Sequence, residues 1–265
     1  MSPTPLSPIS CFVGMFDVLG FKALRAIKGT AGLHQQYVRG ILPAIAHSAA
    51  GKGKVAVVDG HSQFVPDFSG SKVKYRAISD SVLFFTSDDS FDSFFSIVHS
   101  AFMLLQFGFS GGKAPFRGAI GWGDLIDDPV GILIGSAIED AYNGESMQAW
   151  AGAMLTQAAR DFAQTNRYIE SFAAVHETDA QAATDDRAKR TLVENARRLV
   201  RYSVPTQQNT KDGPVVYGQF DTFVVDWTIR MYNDASSKSF DPSSSAHAAT
   251  IARNTRDFER WARQR

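Results

Sequence analysis

A sheet covered by helices, of the α/β or α+β class, is what this sequence predicts. Three observations carry that expectation. Apolar runs of strand length occur at 11–19, 82–86 and 214–227. Longer segments with helical spacing, such as 90–107, lie between them. Clusters of Gly, Ser and Asp separate the two kinds. Strands mixed with helices in one chain imply helical layers packed on a sheet. The 265 residues and 29.0 kDa make one large domain or two small ones, with enough chain to bury a real core. No internal repeat, heptad or low-complexity tract is present.

In chain order, residues 1–10 carry three prolines and no positive cluster, and read as a flexible leader rather than a signal peptide. Residues 11–19 (CFVGMFDVL) form the first strand, punctuated by Gly20. Residues 21–50 are helical, with Leu24, Ile27, Leu33, Tyr37, Ile41 and Ile45 near one face, and Gly29 to Gly32 offer a place to split. A short strand at 55–58 precedes a Gly/Ser/Asp-rich loop at 59–71. Residues 72–78 alternate and 82–86 are apolar and aromatic, so with Ser79-Asp80-Ser81 between them they read as a hairpin. An aromatic helix follows at 90–107, with Ser90 or Asp92 near its start. Residues 115–123 are a strand, 130–135 lead into a helix at 136–150, 153–156 are a strand and 157–174 a helix. Residues 178–201 read as a solvated helix, 199–204 and 214–227 as strands, 233–246 as Ser-rich loop, and 247–263 as an amphipathic C-terminal helix.

Composition limits the function. Lys+Arg and Asp+Glu are both 27, which argues against bulk nucleic-acid binding. The single cysteine, Cys11, can form neither an internal disulfide nor a Cys-rich zinc site, so a cytoplasmic protein is expected. No apolar run reaches the ~20 residues of a membrane helix. The six histidines show no metal spacing, and no nucleophile elbow supports Ser-His-Asp chemistry. The Arg/Lys cluster at 187–201 is interrupted by acids and reads as a solvated helix face.

Two aspartates stand out. Asp17 lies near the end of a strongly apolar strand, where a charge is costly unless compensated. Asp80 sits at the hairpin tip. Taken singly, Asp80 is a common turn residue, and Asp17 suits a helix cap or an arginine partner. Taken together, carboxylates at strand ends are what hard divalent cations need beside phosphate oxygens. Gly20 stands between strand and helix, a turn whose backbone amides can also cradle a phosphate.

These pieces, in this order, resemble the class III nucleotidyl cyclase catalytic domain. Residues 14–21 (GMFDVLGF) resemble its first-strand motif, 76–80 (RAISD) its second-metal hairpin with Ser79 in place of glycine, 117–123 (RGAIGWG) its Arg-x-Gly-Ile-x-x-Gly strand, and 135–143 the helix that follows. The match covers roughly 11–156. Within the class, GMFDVLGFKAL, ISDSVLFF, GSAIEDAYNGESMQAW and Tyr202-Ser203-Val204-Pro205 look most like the bacterial pyrimidine (uridylate) cyclases of Pycsar anti-phage defence.

The resemblance implies an α+β, ferredoxin-like βααββαβ sheet, largely antiparallel, over 11–230 with appended C-terminal strands. A Ser-rich loop and C-terminal helix at 231–265 would follow. It implies that Asp17 and Asp80 hold two Mg²⁺ or Mn²⁺ ions, joined by the Val18 carbonyl, and that amides at Leu19, Gly20 and Phe21 meet a triphosphate. UTP would be the substrate and 3′,5′-cyclic UMP the product, made by a head-to-tail homodimer with interfacial sites and sensed by a separate cyclic-nucleotide-binding effector. CTP, a purine nucleotide, or a degenerate nucleotide sensor are the alternatives. Arg76 stands where the family reads the base, and strand parity puts it on the face of Asp80, roughly 13 Å away at ~3.3 Å per residue. Its donors suit the two carbonyl oxygens of uracil. Ile132 stands at the partner base-reading position, and Glu139 and Asn143 replace the family's helix asparagine and transition-state arginine. Asn143 retains hydrogen-bonding capacity toward ribose or phosphate but carries no charge. Arg117, Lys211 and the basic C-terminal part are the other candidate cations.

Overall fold

The computed structural model describes residues 6–58, 60–110, 114–208, 215–229 and 246–265. The fold is α+β. Strand β1 (Ile9–Val18) is an interior strand of the sheet, and its apolar run is buried on both faces. Helix α1 (Phe21–Gln36), a π-helical turn (Tyr37–Ile41) and α2 (Leu42–Ala50) follow. A small separate hairpin, β2 (Gly53–Val58) and β3 (His61–Pro66), comes next. Then come β4 (Val73–Ile78), β5 (Ser81–Thr86), α3 (Phe91–Ser110) and β6 (Phe116–Asp127). The strand order β4-β5-β1-β6 is antiparallel throughout. Apart from the inserted β2–β3 hairpin, this is the βααββαβ arrangement expected from the sequence.

The second half extends the same sheet. Two-residue β7 (Leu133–Ile134) folds back on β6, and α4 (Ser136–Ser146) follows it. Strand β8 (Gly152–Leu155) runs parallel to β6. Helices α5 (Gln157–Thr165), α6 (Tyr168–Ala182) and α7 (Asp186–Ala196) lead to β9 (Leu199–Gln208) and β10 (Val216–Val225), so the sheet continues β6-β8-β10-β9. The outer edge of β9 is taken by the chain itself. Ala149 N–H donates to Pro205 O at 2.9 Å, and Gln207 N–H donates to Met147 O at 2.7 Å.

Two cores flank the sheet. The larger joins Phe12, Phe16 and Phe84 to α2, α3 and α5. The smaller packs α4 against Cys11, Val13, Leu83 and Phe85. Close approach of α4 depends on Gly121, where a Cβ would stand 2.7 Å from the Ala141 nitrogen.

Several expectations are corrected. The leader ends earlier than residue 10, because Ile9 and Ser10 already pair with β6. The 59–71 loop contains β3, whose polar sequence hides it. The predicted helix at 157–174 is two helices, broken at Arg167 in the left-handed region (φ 57°). Ile27 is 80% exposed, because the α1 backbone leaves helical geometry at Gly29 and the apolar stripe restarts at Leu33. The C-terminal helix α8 (Ala246–Arg263) is no separate unit. Its Phe258 packs on Trp150 and Tyr202, and its Thr255 Oγ1 accepts from Ala151 N–H at 2.8 Å. The Ser-rich stretch falls mostly outside the described residues, as does Lys211.

Candidate active site

The end of β1 meets the β4–β5 turn. Val18 N–H donates to Asp80 O at 3.0 Å, which ties the segment carrying Asp17 to the one carrying Asp80. The turn has two residues, Ser79 and Asp80, since Ile78 pairs with Ser81. Ser79 takes φ 58°, a left-handed conformation that normally calls for glycine. Asp17 continues the odd-numbered side of β1, the side covered by α4, and pairs across the sheet with Arg117.

A third carboxylate completes the neighbourhood. Glu145 on α4 is buried and accepts from Arg117 Nε at 2.6 Å. The Arg117 Nη1 donates to Gln148 O at 3.1 Å. Burial pushes the Asp17 carboxyl up to about 6, and the charges of Glu145 and Asp80 add to this, while Arg117 opposes it. Burial also raises Glu145, against the pull of Arg117. The site therefore carries three acids and one compensating cation, already committed to one of the acids. That excess of hard, negative oxygen fits a divalent cation of the Mg²⁺ or Mn²⁺ type. Among the described residues no three His, Cys, Asp or Glu side chains form a ready ligand cage. Asp17 and Asp80 would hold the ion, with the remaining oxygens from backbone and bound phosphate.

The turn expected to meet a phosphate has fewer free amides than expected. Leu19 N–H already donates to Pro115 O at 2.9 Å, so it is not a free phosphate donor. Gly20 takes φ 79° and caps α1, which Phe21 opens. The conformation is open to glycine and strained for any other residue.

The two residues expected to read a base, Arg76 and Ile132, do not come together. Arg76 pairs with Leu83, which pairs across β5 with Met15, so Arg76 shares the side of the sheet that Asp17 takes. Its guanidinium lies over the Phe85 ring at 5.6 Å and reaches Asp127 at 3.5 Å. Lys74 donates to the same carboxylate at 2.8 Å. Ile132 does not meet Arg76; it stands exposed between β6 and β7, and the carboxylate that Arg76 reaches is Asp127, at the end of β6. Asn143 does not join the site within this chain. It is exposed, two residues or roughly 200° around α4 from buried Glu145. Glu139 is exposed on the first turn of the same helix. Arg117 is a structural cation paired with Glu145 and not free for a ligand.

Glu145 and Asp127 are the site residues that sequence reading missed. The available signal was Arg117, a cation inside a buried strand that required an acid somewhere.

No family profile and no curated protein matches this chain. Among solved structures it is similar to a bacterial light-regulated adenylyl cyclase, with a TM-score of 0.46 and 10% identity over 95% of this chain. It is also similar to a class III adenylyl cyclase-like ATP-binding protein from Pseudomonas aeruginosa, with a TM-score of 0.33 and 13% identity over 58% of this chain. The chain spans 60% of the first of those proteins and 34% of the second.

Proposed function

We propose that this protein is a uridylate cyclase, converting UTP to 3′,5′-cyclic UMP and pyrophosphate. The observation that carries the reading is the Val18–Asp80 bond, which brings two partly buried aspartates to one end of the antiparallel sheet. In the reaction the ribose 3′ oxygen forms a bond to the α-phosphorus. The bond from that phosphorus to the bridging oxygen breaks, pyrophosphate leaves, and the 3′ proton passes to water. Bound Mg²⁺ or Mn²⁺ would supply Lewis acidity that acidifies the hydroxyl and offsets triphosphate charge. Asp17 and Asp80 hold that charge in place, and the Arg117–Glu145 pair fixes the wall behind Asp17. Arg76 donates to a uracil carbonyl, and Asp127 accepts from the neighbouring ring N–H.

The reading extends to a cytoplasmic, head-to-tail homodimer whose cyclic product signals to a separate effector in anti-phage defence. A second reading, a nucleotide sensor without turnover, is favoured by the commitment of Arg117 to Glu145, which leaves that cation unable to stabilise a transition state.

The test is mass spectrometry of products from purified protein with Mn²⁺ and each of ATP, GTP, CTP and UTP, beside Asp17→Ala. Cyclic UMP that disappears in the variant is the expected result. A different cyclic nucleotide would keep the cyclase and reject the Arg76 argument. Nucleotide binding without any product would establish the sensor.

A further inference from the structure

The overall charge is zero, yet its distribution is uneven. Positions 18–58 contain Lys22, Arg25, Lys28, Arg39, Lys52 and Lys54 and no Asp or Glu. This acid-free stretch starts immediately after Asp17. Its first helical segment, Phe21 to Lys28, ends where Gly29 leaves helical geometry at φ 66°. Lys22 and Arg25 are three residues apart, so they share one helix face and are offset by about 4.5 Å along the axis. Both are exposed and make no ion pair or side-chain hydrogen bond among the described residues. Lys22 follows Val18 by four residues, which keeps their Cα atoms within about 13 Å. That separation is within the span of a long side chain and a bound polyphosphate together.

From this we infer that Lys22 and Arg25 form the polyphosphate clamp of the site. They grip the β- and γ-phosphates of a nucleoside triphosphate, and then the departing pyrophosphate. The inference rests on the nucleotide reading above and supplies the mobile cations that Arg117, locked to Glu145, does not. Two exposed cations on one helix face, in an acid-free stretch that follows Asp17 directly, suit a bridging anion. A solvated helix face elsewhere on this protein mixes signs, as α7 does with Asp186, Arg187, Lys189, Arg190 and Glu194.

The test is calorimetric titration of the full chain with inorganic tripolyphosphate in Mg²⁺, at low and moderate salt. Wild type should bind, more weakly as salt rises. Lys22→Gln/Arg25→Gln should lose at least about tenfold in affinity, the effect of removing charge-assisted contacts. The control Lys52→Gln/Lys54→Gln, with the same change in net charge, should stay within about twofold. The exchange Lys22→Arg/Arg25→Lys should retain most of the binding. Unchanged thermal melting verifies that the fold is intact. No binding by wild type, equal binding by the Gln variant, or an equal loss in the control would each overturn the clamp. Tripolyphosphate binding through Lys22 and Arg25 in a protein that makes no cyclic product would uphold the clamp and reject the cyclase. Cyclase activity with binding indifferent to both residues would do the opposite.

Discussion

Arg117 donates through Nε to Glu145 at 2.6 Å, and this pair forms a largely dry wall beside Asp17. Breaking it from one side leaves a buried charge without a partner. Glu145→Ala should therefore lose about 3–5 kcal/mol of stability in urea unfolding. Replacing both residues, as Arg117→Met/Glu145→Leu, should recover most of that loss. A double variant no more stable than Glu145→Ala would show that the pair is not the source of the effect.

Asp17 is crowded by Glu145 and Asp80 in partly buried surroundings. Asp17→Asn keeps its shape and removes its charge. In the absence of divalent cations the variant should be more stable by about 1 kcal/mol, a figure reduced for its partial exposure. It should have no cyclase activity. Gain of stability with loss of function is the mark of a residue kept for its chemistry. A destabilised variant would instead make Asp17 a structural residue.

Ser79 carries φ 58° in the turn before Asp80. A glycine there loses the left-handed penalty of roughly 1–2 kcal/mol but adds freedom to the unfolded chain. Ser79→Gly should gain about 0.5 kcal/mol, visible as a higher thermal midpoint.

His99 is held neutral. Burial is the main cause, with the charges of Arg198 and His176 adding to it, and together they hold its pKa down to about 4 from 6.5. Arg198 lies 2.7 Å from its Nδ1, and the Gly51 backbone faces its other nitrogen, so Nδ1 accepts and Nε2–H donates. Below pH 6.5 the unfolded chain binds a proton that the folded chain refuses. The contribution of His99 to stability should fall between pH 6.5 and 4, by up to roughly 3 kcal/mol, and level off below, while Asp17, raised to about 6, acts in the opposite direction over part of that window. His176, also lowered by burial and by Arg198, acts in the same direction as His99. Urea unfolding at stepped pH should show a shallower slope for His99→Gln; an unchanged slope would place the proton uptake elsewhere.

Phe258 of α8 is fully buried against Trp150, Tyr202 and Trp227. Phe258→Ala should cost about 3–5 kcal/mol. A loss under 1 kcal/mol in chemical unfolding would mean the helix docks only loosely.

The elements with clear periodicity were legible in the sequence, and so were the two aspartates whose segments the fold brings together. Asp17 was visible because a charge within the apolar run Phe12 to Leu19 is costly unless compensated, and Asp80 because an alternating run and an apolar run flank its turn. Glu145 was not visible, because its pairing with Arg117 joins a helix and a strand 28 residues apart, and no period encodes that. That Ile132 stands apart from Arg76 was hidden for a related reason. Its position in an aligned motif said nothing of the fold-back at β6–β7 that sends Asp127 to Arg76. Strand β3 escaped because an isolated hairpin needs little apolar sequence, and Ile27 because helical spacing does not reveal a backbone break at Gly29.

The two ends of the sheet bear on how copies of this chain meet one another. An open strand edge is a template on which a foreign strand can grow. At β9 that template is closed along 205–207, since the chain's own Met147–Ala149 segment occupies it and Pro205 has no N–H to offer. At β4 the border strand is short and bears Lys74 and Arg76, both tied to Asp127. Strand-by-strand growth is thus closed off along 205–207 at one border and discouraged by charge at the other.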